Sequence, residues 1–386
     1  MENWIKSTYN RIQKNTETFL GYPLAKDFKY DQFAPFLNLC INNVGDPENN
    51  STLAIDTKEI ELKVVRFFSK VLQATPEDVW GYVTNGGTEG NLYGLYVARE
   101  AFSNATVYYS ESTHYSVKKN LHLLQLPNVV IRSQENGEMD YEDLESVLIL
   151  HRDKPAIFFL NIGTTMTEAV DQIDEIKKII KKYAIKNYYI HCDAAFLGSF
   201  APFVDEKPKF DFSNDIDSIS ISGHKFIGSP IPCGLVLVKR KHRNRIANSV
   251  SYVDTMDTTI TGSRNGLTPL FLWSFIEQFG IEGLQKRAKE AQKLARYTEH
   301  ELNKIGQNAW RNKDALTVVF DSPSKEIIKQ FQLATDGNIS HLICVPGITK
   351  ENIDNFIVAL QQEQTVKKLV IEDDETSTKK NLFIHS

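Results

Sequence analysis

The sequence predicts an α/β protein with a mostly parallel central sheet, followed by a smaller C-terminal α+β domain. Three observations carry this. From residue 81 to 239, short β-like runs alternate with helical stretches, and strands joined by helices of that length require crossovers. The run Ala156-Ile157-Phe158-Phe159-Leu160 has no polar alternation, as expected of a strand buried on both faces. Beyond about residue 266 the order changes to a long helical stretch followed by short strands and helices.

Taken in order, residues 1–55 read as a helical arm and an irregular segment, Gly45-Asp46-Pro47-Glu48-Asn49-Asn50-Ser51, of strong turn composition. Apolar residues at helical spacing (Ile60, Val64, Val65, Phe68, Val71) predict an amphipathic helix over 57–71. Strands are expected at 81–84, 106–110, 129–133, 156–161, 188–192, 216–222 and 234–239. Helices are expected between them at 89–102, 115–124, 141–151 and 172–183. Then follow a helix over 269–305, a strand at 316–320, a helix around 325–333, a strand near 339–345 and a helix at 350–361. These elements divide the chain into the arm with a substrate-side segment (1–55), a large domain (56–265), a small domain (266–370) and a polar, mobile tail (371–386).

Composition narrows the function classes. Of 386 residues 41% are hydrophobic and 24% charged, an ordinary globular balance. A formal net charge of -5 gives no basic footprint for nucleic acid. No apolar run approaches the roughly 18 residues needed to cross a bilayer, and residues 1–30 lack an apolar signal core. Cys40, Cys192, Cys233 and Cys344 are scattered, which fits reduced thiols in a cytoplasmic protein.

Chemistry concentrates at four strand ends, where open α/β sheets bind ligands. In Thr84-Asn85-Gly86-Gly87-Thr88-Glu89-Gly90-Asn91, glycines allow close approach of an anion to a helix N-terminus that Thr88 is placed to cap. The plain alternative is a glycine-rich turn. A dinucleotide site is another, with Glu111 as the ribose-binding acid, although the full GxGxxG spacing is missing. In Glu111-Ser112-Thr113-His114, His114 is either a surface histidine or one that stacks on a planar cofactor. His191-Cys192-Asp193-Ala194-Ala195 ends a buried strand with a carboxylate that needs hydrogen bonds or a cationic partner, such as a pyridinium nitrogen. A zinc reading of His191 and Asp193 lacks further ligands at suitable spacing, so no metal is expected. Finally, alternation of Ser218, Ser220 and Ser222 with isoleucines gives a strand with a small polar face. It ends in Ser222-Gly223-His224-Lys225, where an amine can reach the crevice, 32 residues after Asp193.

Asp-Ala-Ala at one strand end and Ser-x-His-Lys at another resemble the group II PLP-dependent amino-acid decarboxylases, of the aspartate-aminotransferase fold (fold type I; PLP is pyridoxal 5′-phosphate). The sequence is closer still to the bacterial PLP-dependent histidine decarboxylases. Matching segments include Gly21-Tyr22-Pro23, Ile41-Asn42-Asn43-Val44-Gly45-Asp46, residues 80–91, Thr113-His114-Tyr115-Ser116-Val117, Asn161-Ile162-Gly163-Thr164-Thr165, residues 222–225 and 228–234, 258–266 and 308–313. The likeness spans most of the chain and stops short of the last fifteen or so residues. Plant serine decarboxylases look similar over the same segments.

The resemblance implies that the large domain binds PLP and that Lys225 holds it as an internal aldimine. Decarboxylation of L-histidine to histamine and carbon dioxide, through an external aldimine and a quinonoid, would follow. Serine or another small amino acid is the alternative substrate. Asp193 is the expected partner of the pyridine nitrogen. His114 is expected to stack on the ring, contact substrate and handle protons. Gly87, Thr88, Ser222 and His224 are the implied phosphate anchors. Thr164 is assigned to the ring hydroxyl, with Thr165 its rival, and Ala195 lies under the ring. Arg264 and Arg311 are the candidates for the bidentate carboxylate clamp of an aminotransferase. A homodimer or homotetramer is implied as well.

Overall fold

The computed structural model describes residues 3–75, 77–246, 248–250 and 255–365. The expected polar tail, 371–386, lies outside the described residues.

In chain order the first elements are α1 (Asn3–Thr18), a 3-10 segment (Asp31–Asn38), α2 (Lys58–Val71), β1 (Val79–Thr84), α3 (Gly87–Ala101), β2 (Thr106–Ser110), α4 (Ser116–Leu124), β3 (Asn128–Ile131) and α5 (Tyr141–Leu148). There follow β4 (Ala156–Asn161), α6 (Ile173–Lys182), β5 (Tyr188–Asp193), β6 (Ser218–Ser222), β7 (Gly234–Lys239), α7 (Arg240–Arg243), β8 (Asn248–Val250), β9 (Thr255–Asp257) and α8 (Leu267–Lys304). The last are β10 (Thr317–Asp321), α9 (Lys325–Phe331), β11 (Ala334–Asp336), β12 (Ile339–Ile343) and α10 (350–365). The chain packs as two compact units, Pro23–Glu290 and a smaller one that joins the residues up to Tyr22 to those from Ala291 onward.

The larger unit is built on a seven-stranded sheet in the order β1-β7-β6-β5-β4-β2-β3. Strands β3, β2, β4, β5 and β6 run parallel, while β7 is antiparallel to both β6 and β1. Every residue of β1, β2, β4 and β6 is buried, which accounts for the unbroken apolar run in β4. Helices α3 and α4 lie on one core whose largest members are Trp80, Tyr82, Tyr93, Tyr109, Phe159 and Tyr189. Strand β3 ends two residues before the expected 133. Arg132 donates its N–H to Asp143, and Ser133 bridges to Met139, so the chain has left the sheet to turn back. Helix α8 runs almost as expected, with one break at Gly280, whose φ of 56° and ψ of -172° suit glycine.

The smaller unit carries the antiparallel sheet β10-β12-β11. Leu20 lies beside it, accepting from Ile343 N–H and donating to Phe331, both at 3.0 Å. Phe320, Phe331 and Phe356 form the aromatic centre of this unit. Helix α1 buries no residue.

Candidate active site

The C-terminal ends of β5 and β6 and the N-terminus of α3 meet at one place in the larger unit. The reason lies in side-chain period. Ser218, Ser220 and Ser222 point to one face of β6, and in register with them His191 and Asp193 point from β5. Against this small polar face lies the stripe Gly87, Gly90, Asn91 and Gly94 of α3, at helical spacing. A methyl group on Gly90 would come 2.2 Å from Ser220 Oγ, and one on Gly94 2.2 Å from His191 Nδ1. A methyl on Gly87 would come 2.8 Å from Ser222 Oγ and 3.3 Å from Ala195 Cβ. The glycines thus let a helix N-terminus descend onto the strand ends.

Gly86, with φ of 151°, is the residue before the helix, so Thr88 does not cap it as the sequence suggested. Thr88 is exposed in the first turn, and its carbonyl accepts from Asn120 at 3.0 Å. Glu89 fixes the turn, accepting from Asn85 N–H (2.8 Å), Asn85 Nδ2 (2.7 Å) and the Tyr82 hydroxyl (2.8 Å).

Asp193 is 7% exposed at the end of β5. Its Oδ1 accepts from Ala195 N–H at 3.1 Å and its Oδ2 from Asn91 Nδ2 at 2.7 Å. Ala195 is tied to the neighbouring strand end through Ser222 N–H, which donates to its carbonyl at 3.0 Å. Lys225 follows in the β6–β7 connection. Burial lowers the proton affinity of its amine from the ordinary lysine value, with Asp193 opposing. The connection is held from outside: Ala25 N–H donates to the Lys225 carbonyl (3.0 Å), and the Tyr30 hydroxyl donates to that of Gly228 (2.6 Å). His224 turns Nδ1 to the Cys233 carbonyl at 2.8 Å.

His114 follows β2 and is half-buried. Its Nδ1 lies 2.7 Å from Ser116 Oγ and accepts from Ser116 N–H at 3.3 Å, which leaves the neutral ring's proton on Nε2. Burial pulls its pKa below the ordinary histidine value, Asp193 opposing and Lys225 and Lys119 assisting. The three sequence-picked groups therefore act electrostatically on one another.

Thr164 stands apart from this convergence in its bonding. Its hydroxyl accepts from Ala169 N–H (3.0 Å) and pairs with Thr167 (2.9 Å) inside its own loop, while Thr165 is exposed. Glu111 is exposed and accepts from Ser133 N–H at 3.1 Å. Among the described residues, no group of three or more His, Cys, Asp or Glu side chains is placed to hold a metal, and no helix is long and apolar enough to cross a membrane.

The sequence matches the pyridoxal-dependent decarboxylase conserved domain over residues 53–321. The chain belongs to this family. It is 45% identical over 349 residues to a histidine decarboxylase of Mesorhizobium japonicum, covering 90% of this chain and 94% of that protein. A histidine decarboxylase of Morganella morganii is 45% identical over 344 residues, covering 89% and 91%. Among solved structures, L-methionine decarboxylase from Streptomyces sp. 590 superposes with a TM-score of 0.86 at 24% identity, over 93% of this chain and 94% of that one. A sphingosine-1-phosphate lyase of Burkholderia pseudomallei gives 0.79 at 17% identity, over 98% and 93%. These last two bear on fold, which is that of the PLP-dependent decarboxylases.

The donor set of this decarboxylase fits PLP. A flat aromatic aldehyde with a phosphate needs an amine, a carboxylate for its ring nitrogen, and donors for a dianion. The strand ends bring together Lys225, Asp193 and, for the phosphate, a helix N-terminus beside the Ser222 hydroxyl and His224. The absence of a side chain at Gly87 keeps that cradle open, since a Cβ there would enter it. Asn91, His191, Ser116 and Tyr30 are the polar residues that sequence reasoning left without a role. For two of them a signal existed: Asn91 closes the glycine motif, and His191 shares the strand face of Asp193.

Proposed function

We propose that this chain decarboxylates L-histidine to histamine and carbon dioxide, with PLP carried on Lys225. The observation that carries the substrate assignment is 45% identity to histidine decarboxylases across nine tenths of the chain. When bound, the cofactor supplies an electron sink for the carbanion left as carbon dioxide departs.

The chain's own residues do the rest. Burial makes the Lys225 amine easier to deprotonate, and only the neutral amine is nucleophilic. Asp193 holds the proton of the ring nitrogen, and so favours the charged ring in which electrons are drawn away from the reacting carbon. With the cofactor bound, His114 would stack on the ring, contact substrate, and exchange a proton at Nε2, the nitrogen that Ser116 leaves available. Gly87, Thr88, Ser222 and His224 would hold the phosphate, and Ala195 would lie under the ring. Thr164 orients the ring hydroxyl through the loop that its own hydroxyl braces. Residues 56–265 act as the cofactor-binding domain and 266–370 as the small domain. The protein works in the cytoplasm as a homodimer or homotetramer. The exposed Trp4 and Tyr9 on α1 support such an assembly.

The test has two arms. Borohydride reduction followed by peptide mass spectrometry should find the pyridoxyl adduct on the peptide containing Lys225, and Lys225→Ala should lose both adduct and activity. A substrate panel should give histamine from histidine. Ethanolamine from serine, with no histamine, would reassign the substrate, and an unmodified Lys225 peptide would overturn the mechanism.

A further inference from the structure

Behind Asp193 a file of buried polar groups crosses from the sheet to α3. Asn91 Nδ2 donates to Asp193 Oδ2 at 2.7 Å, and Asn91 Oδ1 lies 2.9 Å from His191 Nε2. His191 Nδ1 lies 2.7 Å from Ser218 Oγ. Ser218 and His191 are wholly buried and Asn91 is 2% exposed.

The polarity of the file follows from its end. An ionised carboxylate only accepts, so the group of Asn91 that faces Asp193 is its amide NH2. The Asn91 carbonyl then faces His191, whose Nε2 must carry the proton. Nδ1 is left as an acceptor, and the Ser218 hydroxyl donates to it. Each dipole points its positive end toward Asp193, and such a chain polarises its members cooperatively. Burial pushes His191 down to about 3, so its ring stays neutral and Nδ1 keeps its lone pair. If Asp193 were protonated instead, it would donate to Asn91, the amide would turn over, and His191 would carry its proton on Nδ1. The other titratable groups that act on His114 beside Asp193 are Lys225 and Lys119.

We propose that Asn91, His191 and Ser218 are positioning residues that hold the Asp193 carboxylate aimed at the cofactor's ring nitrogen, through one oriented hydrogen-bond chain. The proposal rests on the reading of Asp193 as the partner of that nitrogen. Three polar groups are desolvated here and satisfied through one another, a cost that apolar side chains of similar size would avoid. Gly94 is part of the device, because any side chain there would displace the His191 ring.

Two measurements decide it. In apoprotein labelled with 15N at histidine, two-bond proton–nitrogen correlation should show His191 protonated at Nε2 alone. Finding the proton on Nδ1 overturns the chain's direction. Second, PLP affinity is titrated by visible absorption for the full-length protein and three variants, with apoprotein melting as the control for folding. Losing a hydrogen bond to a charged group should make Asn91→Leu bind PLP about 10- to 100-fold more weakly. His191→Leu should weaken it as well, while His191→Gln should return it to within about threefold of the parent, since an amide nitrogen at the Nε2 position restores the donor to Asn91. Unchanged affinity in a folded Asn91→Leu overturns the proposal. So do equal losses in His191→Leu and His191→Gln, the pattern of a merely structural role. If Asn91→Leu does not fold, the His191 pair and the tautomer still decide. A parent protein that takes up no PLP on Lys225 would sink the site assignment, while the tautomer would still judge the chain.

Discussion

Arg264 is closed on Glu61, in an ion pair of which both members are almost wholly buried. Glu61 Oε1 also accepts from Val83 N–H at 2.8 Å, and its Oε2 accepts from Asn43 Nδ2 at 2.9 Å. Arg264 Nη2 donates to the Gly45 carbonyl at 2.9 Å, and the guanidinium lies over the Tyr82 ring. The group that a bidentate substrate clamp would need is therefore committed to the irregular segment and to β1. Arg311, the other candidate, pairs with Glu299 at 2.8 Å in the smaller unit. Neither arginine supports the aminotransferase alternative that the sequence left open.

Breaking this pair should be costly. Glu61→Ala leaves a buried guanidinium without its counter-charge, and removing one partner of such a pair costs about 3–5 kcal/mol. Urea unfolding of the apoprotein measures it. A shift worth less than about 1 kcal/mol would mean that water replaces the carboxylate and that the pair is peripheral.

Gly94→Ala sets two effects against each other. Helix propensity favours alanine by about 1 kcal/mol. The new methyl would stand 2.2 Å from His191 Nδ1, and overpacking of this kind costs about 1–3 kcal/mol. Net destabilisation is expected, together with weaker PLP binding as the His191 ring is displaced. A variant that melts higher than the parent would show that the ring yields freely.

Much of this was legible in the sequence because period and turn chemistry are local. The apolar β4 and the serine face of β6 were readable from alternation alone, and strand ends are where an α/β sheet puts its chemistry. Lys225, Asp193 and His114 stood out through the resemblance and act on one another electrostatically in the structure. The chain behind Asp193 could not be read, since it joins α3, β5 and β6 across about 100 residues, and register between elements is invisible in one sequence. Thr88 is not the cap that its residue type suggests, because two adjacent glycines let the helix begin two residues earlier, at Gly87.

Stability should fall with acid in a way that His191 contributes to. The unfolded chain takes up a proton there near the ordinary value of about 6.5, and the folded protein refuses it until about 3. Between those values the unfolded state binds more protons, so stability is full above about 6.5 and declines as the pH drops. Burial lowers His114 and His224 in the same sense, while Asp171, pushed up to about 6, acts oppositely between its ordinary value and that one. Comparison with His191→Gln cancels these shared terms. The parent's advantage over the variant should shrink by about 1.4 kcal/mol between pH of about 7.5 and 5.5. A constant difference, measured by urea unfolding of the apoproteins, would show that the folded protein accepts the proton.

Ser116→Ala tests the proton chemistry of His114 without touching the ring itself. Ser116 presents its hydroxyl 2.7 Å from Nδ1 and its N–H 3.3 Å away, so the serine side chain is the stronger of the two restraints. Without it, Nδ1 can take the proton, and Nε2 ceases to be the fixed donor. If His114 handles the proton in the reaction, kcat should fall by about tenfold, the loss that one neutral hydrogen bond of about 1–1.5 kcal/mol brings to the barrier. KM for histidine should change little, because the ring and its contact face remain. Removing this hydrogen bond should also move the acid limb of the kcat profile, which unaltered stacking would not do. A variant that keeps the parent's kcat and pH profile would confine His114 to stacking and place the proton on another group.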